Sequence, residues 1–398
     1  MKSRTISISV LIIIAISFGV IAYTYLKKIN LPDAGISAIG AENIRAEVVE
    51  IIEEGEIDLG GMVQKYQIAR VILQEGKYAG ITMEMDYGKR QILSNAIYLR
   101  PGDQVLVTVG VRPDGVVTVY FSDFVRINPL LWLTALFVVA ILVISGWKGL
   151  RALLSMVFSL MVIIGFIIPL ILSGEDPLTV SILGSIVLLG VTLYLTYGWN
   201  LKTHAAVISM VLVLLITGIL AVAFVSFTRL RGSGDESALF LLQILNMQIN
   251  LRGLLLGGMI IGALGVLDDL VTTQASAVFE LHHANVNFGF RELYRSAMRI
   301  GQDHVAATVN TLVLAYAGAS LPMLLLFTLG QGKYGNLVNF EFVASEIVRT
   351  LVGSLGLISA VPLTTVIAIF FALRVESLGW LRQFLGPEGS GESHSHSH

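Results

Sequence analysis

Two kinds of periodicity divide the chain. Between residues 32 and 128 apolar and polar positions alternate, as in Arg45-Ala-Glu-Val-Val-Glu-Ile-Ile-Glu, Tyr66-Gln-Ile-Ala-Arg-Val-Ile-Leu and Gln104-Val-Leu-Val-Thr-Val. A period of two predicts strands with one buried face. Pro101-Gly102-Asp103 and Pro113-Asp114-Gly115 supply the fixed φ and the permissive glycine that tight turns need. Short strands joined this way predict a small barrel, oligonucleotide-fold-like or SH3-like. Beyond Pro129 the pattern gives way to apolar runs at 130–147, 152–173, 178–198, 204–227, 253–279, 304–330 and 350–373. At 1.5 Å per residue these reach the length that crosses a hydrocarbon core of ~30 Å.

One more such run, 6–26, opens the chain behind Lys2 and Arg4. Lys27 and Lys28 follow it where a signal peptide would carry a small-residue cleavage site, which predicts a retained anchor. The expected architecture is therefore a membrane all-α bundle of about eight transmembrane helices with a small extracytoplasmic all-β barrel-like domain. Its parts are an anchor (1–28), the β-rich domain (29–128), a polytopic domain (129–376) and a polar, histidine-containing tail (377–398). Residues 236–250 place leucines at helical spacing among amides, which suits a helix lying in the outer interface.

Composition sharpens this picture. Apolar residues make up 55% and charged residues 14%, against the ~45–50% and ~25% of soluble domains. A net charge of −2 leaves no clustered basic face for nucleic acid, which is set aside as a partner. The chain has no cysteine, so disulfides, thiolate metal sites and cysteine nucleophiles are excluded. With both termini cytoplasmic, the inward loops carry Lys148, Arg151, Lys202, Arg291, Arg295 and Arg299, and the outward ones fewer cations, as the positive-inside rule requires.

Candidate chemistry sits in the stretch Gly257-Gly-Met-Ile-Ile-Gly-Ala-Leu-Gly-Val-Leu-Asp-Asp. An aspartate near the centre of a spanning helix costs roughly 2.5–3.5 kcal/mol, so Asp268 and Asp269 demand partners, protons or an aqueous cavity. Asp269, Thr273, Ser276 and Glu280 follow a four, seven, eleven spacing that predicts one polar face. The glycines upstream permit close helix approach or local unwinding. The next run opens with Asp303 and His304, seven and six residues before Asn310. A hairpin between the two runs would gather Asp268, Asp269, Thr273, Gln274, Glu280, Asp303, His304 and Asn310 at one cavity. Such oxygens with one imidazole suit a proton, sodium or a divalent cation. Asp303 has an equally simple reading as the cap of a helix starting near 304, and Thr308 and Thr311 as back-bonded helix residues. Pro362 with Thr364 and Thr365 predicts a break in the last helix.

At these residues the sequence resembles the YibE/F-like family of bacterial multi-spanning membrane proteins. The likeness runs from the first anchor to about residue 373. It is carried by the Pro101-Gly-Asp turn and its strand, Asp123-Phe-Val-Arg126, Gly262-Ala-Leu-Gly265 with the polar stripe, Asn310-Thr-Leu-Val-Leu-Ala-Tyr316, and Pro362-Leu-Thr364. The resemblance implies a protein of the bacterial cytoplasmic membrane whose biochemistry is uncharacterised. It also implies acidic positions at Asp269 and Asp303 rather than Asp268, which makes Asp269 the stronger candidate.

Three functions compete. A secondary transporter or ion-coupled permease for a small solute or cation would use Asp269, Glu280 and Asp303 as its carboxylates. A scaffold or receptor would act through the outer β-domain. An intramembrane metal-dependent hydrolase would hold its ion with Asp268, Asp269, Asp303 and His304, but no compact catalytic motif backs it. The permease is favoured over an enzyme. With no GxxxxGK[ST] motif, its energy source is a gradient or a partner. The expected partners are the bilayer and the solute, and an oligomer is compatible.

Overall fold

A computed structural model of the chain describes residues 42–61, 63–89, 97–111, 117–245, 249–322 and 338–374, with 324, 325 and 336 besides. The expected anchor 1–28 and tail 377–398 lie outside the described residues, as does the turn at Pro113-Asp114-Gly115. The chain divides between residues 144 and 145 into two compact units.

The first unit carries five strands, β1 (Glu42–Asp58), β2 (Val63–Leu73), β3 (Thr82–Tyr87), β4 (Gln104–Val111) and β5 (Val117–Phe124). They close into a barrel in the order β1-β2-β3-β5-β4, with β3 and β5 parallel and the other pairs antiparallel. That Greek-key closure is the oligonucleotide-fold arrangement. Alternate residues point inward as the period demands: Ala46 and Val48, Ala69 and Val71, Val105 and Val107 are fully buried. Register shifts near Val48/Glu50 and Ile51/Glu53 bend β1 so that one strand pairs with two neighbours. The predicted Pro101-Gly102-Asp103 turn is present. Gly102 (φ +92) donates to Val48 O at 2.7 Å, and Asp103 Oδ2 accepts from Arg100 N at 2.8 Å.

Seven helical elements follow: α1 (Ile127–Leu172), α2 (Pro177–Tyr197), α3 (Leu201–Phe227), α4 (Glu236–Leu245), α5 (Leu251–Ala284), α6 (Phe290–Ala319) and α7 (Glu341–Arg374). Five of them, all but α4 and α6, are long and apolar enough to cross a membrane. The eight predicted spans are therefore not all recovered. Only residues 304–319 of the run 304–330 fall in α6, which begins at Phe290 and carries Arg291, Glu292, Arg295 and Arg299 in its first half. The runs 130–147 and 152–173 are joined without a loop in α1, where Gly146 alone departs from helical angles (φ 51, ψ −128). At 46 residues α1 measures about 69 Å of helix, twice one crossing. Ahead of Pro169 its hydrogen bonding widens to a π turn over Ile163–Ile167, a local cost of the missing proline N–H.

The helix starts were written in caps. Asp176 accepts from Thr179 N at 3.0 Å, Asn200 from Thr203 N at 2.9 Å and Asn250 from Gly253 N at 3.0 Å. Each satisfies an amide that a first turn leaves open. α2 and α5 run parallel in close contact. Asn250 Nδ2 donates to Asp176 Oδ1 at 3.0 Å at one end, and the Thr272 and Tyr197 hydroxyls meet at 3.2 Å at the other. Between them Gly257 sits so close that an added Cβ would lie 2.3 Å from Ser181 Oγ. Gly257 thus serves close approach, whereas Gly258 and Gly265 face open space, and none of them unwinds the helix, which is continuous. The predicted break at Pro362 is likewise absent, as α7 continues through it with Thr364 and Thr365 fully buried.

Candidate functional site

The polar side chains of α5 divide between two faces. Asp268 and Asp269 are neighbours, and successive helical residues diverge by 100°, so the two carboxylates cannot serve one cavity. Asp268 points toward α1 and α2, into a cavity of about 300 Å³ whose lining includes Ser155, Ser159, Ile163, Thr192 and Gly265. Ile163 is the first residue of the π turn, a local widening often found beside functional sites. Asp268 Oδ1 is buried and has no hydrogen-bond donor among the described residues. The hydroxyls of Ser159 and Thr192 donate to their own helix, to Ser155 O and Leu188 O, and so not to Asp268.

The same row of α5 continues at four-residue steps through Thr272, Ser276 and Glu280. Thr272 and Ser276 line a second cavity of about 280 Å³, shared with Tyr197, Lys148, Arg151 and Lys202. Beyond it Lys202 Nζ donates to Glu280 Oε1 at 2.6 Å. Because α2 ends at Tyr197, level with Thr272, Asp268 lies one helical turn, about 6 Å, inside that end. It is midway along α5 itself, as the apolar run implied, because α5 continues past the end of α2.

The expected single cluster is not formed. Asp269 is 73% exposed, with Oδ2 3.8 Å from His304 Nε2, and Thr273 Oγ1 stands 3.3 Å from His304 Nδ1. This pair ties α5 to α6, on a face turned 100° from the one Asp268 presents. Gln274 is buried and structural: its Nε2 donates to Ala297 O at 3.0 Å and Thr365 Oγ1 at 2.7 Å, joining α5, α6 and α7. Ser276 belongs to the second cavity and Glu280 to Lys202. Asp303 and Asn310 are exposed on α6, and neither side chain has a partner among the described residues. Asp303 is no cap either, because α6 begins at Phe290 after Gly289. Among the described residues no three His, Asp or Glu side chains come together as a metal site would need. Thr308 and Thr311 do bond back to His304 O and Ala307 O.

Of the stripe predicted from Asp269, Ser276 and Glu280 keep their places, while Asp268 and Thr272 stand where Asp269 and Thr273 were expected. The missed participants are Tyr197, Thr272, Lys148, Arg151 and Lys202. Thr272 was discoverable as the fourth residue after Asp268, and the cations entered only as markers of orientation. Chemically, an enclosed carboxylate oxygen without a donor takes up a proton or a hard cation, since an ionised carboxylate in apolar surroundings is costly. A family model described as YibE/F-like protein matches residues 133–374, more than half of the chain. No curated protein and no solved structure gives a match.

Proposed function

Because the chain belongs to the YibE/F-like protein family, through a segment that comprises the helical bundle, we propose that the bundle is a secondary transporter or ion-coupled permease for a small solute or cation. Asp268 is the carboxylate that binds and releases the coupling proton or cation. The observation that carries this reading is the enclosed, donor-free Asp268 Oδ1, facing a cavity on a polar row that continues toward one mouth of the bundle. Neutral, the acid tolerates its apolar walls; charged, it requires a cation or water. Opening of the cavity to one side or the other therefore changes its occupancy, which is what coupling demands.

The protein resides in the bacterial cytoplasmic membrane with eight spans, counting the anchor 1–28. Both termini are cytoplasmic and the barrel is extracytoplasmic. The excess of cations at Lys148, Arg151, Lys202, Arg291, Arg295 and Arg299 supports that orientation. The parallel course of α2 and α5 agrees with an even number of passes from one to the other.

The test is flux in sealed proteoliposomes under imposed proton and sodium gradients. Wild type conducts, Asp268→Asn does not, and Asp269→Asn retains most of the rate. Undiminished flux in Asp268→Asn, or no flux of either ion in wild type, ends the permease reading. The second result, with both aspartates dispensable, would favour a scaffold acting through the barrel.

A further inference from the structure

The cavity beyond Asp268 has a chemistry that the coupling role does not use. Three cationic side chains, Lys148, Arg151 and Lys202, line its wall together with the hydroxyls of Tyr197, Thr272 and Ser276, and no acid does. Glu280, the carboxylate paired with Lys202, lies two-thirds exposed and offsets only one of the three charges. Lys148 and Arg151 have no ion-pair or hydrogen-bond partner among the described residues. Ser276 is also unengaged, so a donor hydroxyl stands available beside the cations.

Cations usually drift apart and into solvent when nothing opposes them. Here the backbone brings the stems of all three to one place, although Lys148 is exposed. Gly146 breaks α1 two residues before Lys148, and Arg151 follows three residues later on the same helical face. Lys202 is set by the start of α3, whose own first-turn amide at Thr203 is already satisfied by Asn200. The anion that fits is therefore one held by side chains, not by a bare helix end. The volume, about 280 Å³, holds a small oxyanion with several waters at ~30 Å³ each. A guanidinium forks onto two phosphate oxygens while an ammonium supplies a point charge.

We infer that this cavity binds a phosphate group carrying net negative charge, gripped by Arg151 and Lys148 with Lys202 and Ser276 completing the shell. The phosphate comes either from a free ion or ester, or from the headgroup of an anionic lipid, because the cavity lies at the bundle end where headgroups sit. The inference stands apart from the permease reading: binding without any flux would leave it intact.

The experiment uses the full-length protein. In an uncharged detergent, inorganic phosphate is titrated against sodium chloride of matched ionic strength, and thermal stability is read for wild type, Arg151→Gln, Arg151→Lys and a barrel control, Lys77→Gln. In a second arm the same proteins are placed in phosphatidylcholine nanodiscs with and without phosphatidic acid. A saturable stabilisation by phosphate, weakened at least tenfold in Arg151→Gln, partly kept in Arg151→Lys and unchanged in Lys77→Gln, assigns a free phosphate. The same pattern confined to phosphatidic acid assigns a lipid headgroup. Monodisperse elution of each variant separates lost binding from lost folding, and Arg151→Lys carries the comparison if the glutamine variant fails to fold. A response that chloride reproduces, one that survives in Arg151→Gln, or none in either arm overturns the proposal.

Discussion

Replacing Gly301 by alanine separates packing from propensity by the sign of a single measurement. Gly301 lies inside α6 where that helix meets α7 and Gln274. In an open helix interior, alanine is favoured over glycine by about 0.8–1 kcal/mol. At Gly301, however, an added Cβ would stand 2.4 Å from Val361 Cγ1 and 2.7 Å from Gln274 Oε1, where carbon contacts need ~3.5–4.0 Å. Relief requires a shift of about 1 Å, and the obvious route is closed. Gln274 cannot swing aside, because its amide is held by Ala297 O and Thr365 Oγ1 on the two flanking helices. Overpacking of this kind costs about 1–3 kcal/mol, so after the propensity gain Gly301→Ala should lose up to about 2 kcal/mol. Gly258→Ala is the internal standard, since nothing lies within 4 Å of its added Cβ, and it should gain up to ~1 kcal/mol. Equilibrium unfolding in mixed detergent, followed by circular dichroism, reads both. Combining Gly301→Ala with Val361→Ala should cost less than the two single changes summed, because they share a contact. Equal stabilisation by Gly301→Ala and Gly258→Ala would refute the close packing of α6 on α7.

Two further outcomes follow from the local geometry. Asp176→Ala should cost about 1 kcal/mol through loss of the α2 cap. The Thr179 backbone N–H, aided by the Thr179 hydroxyl and the Asn250 amide, holds this carboxyl below the usual range. Its contribution is therefore full above the ordinary carboxylate pKa and is lost as pH falls through the lowered one, so melting temperatures of wild type and variant should converge only in acid; a gap that widens there contradicts the cap. Gly146→Ala should cost on the order of 1–3 kcal/mol, since its angles (φ 51, ψ −128) exclude a side chain even though the space is open; unfolding that matches wild type would contradict the break.

Much of this architecture is legible in the sequence, for reasons that also define where legibility stops. Alternation marks β1, β2 and β4, and Pro101-Gly102 marks a turn, because these depend on neighbours a few residues away. The parallel pairing of β3 with β5 leaves no such trace, since it depends on where the barrel closes. In the bundle, apolar runs mark α2, α3, α5 and α7. The mixed character of α6 hides its start, because Arg291, Arg295 and Arg299 are compatible with a helix as well as a loop. Periodicity says that Asp268, Thr272, Ser276 and Glu280 share a row, and equally that Asp269 and Thr273 share the next. Which row faces a cavity is decided by α1, α2 and α6, not by α5 itself. Gln274 was grouped with the ion site for its polarity, whereas its amide geometry suits the joining of three helices.

The break at Gly146 governs more than the stability of one helix. A segment of 46 residues is about twice the length of one crossing, so whether it counts as one pass or two decides the side on which α2 and everything after it begins. In the eight-span arrangement proposed above it is two passes, and the turn between them falls at Gly146. In that proposed arrangement the single position without a side chain sets where the segment turns, and so the parity of every pass that follows it.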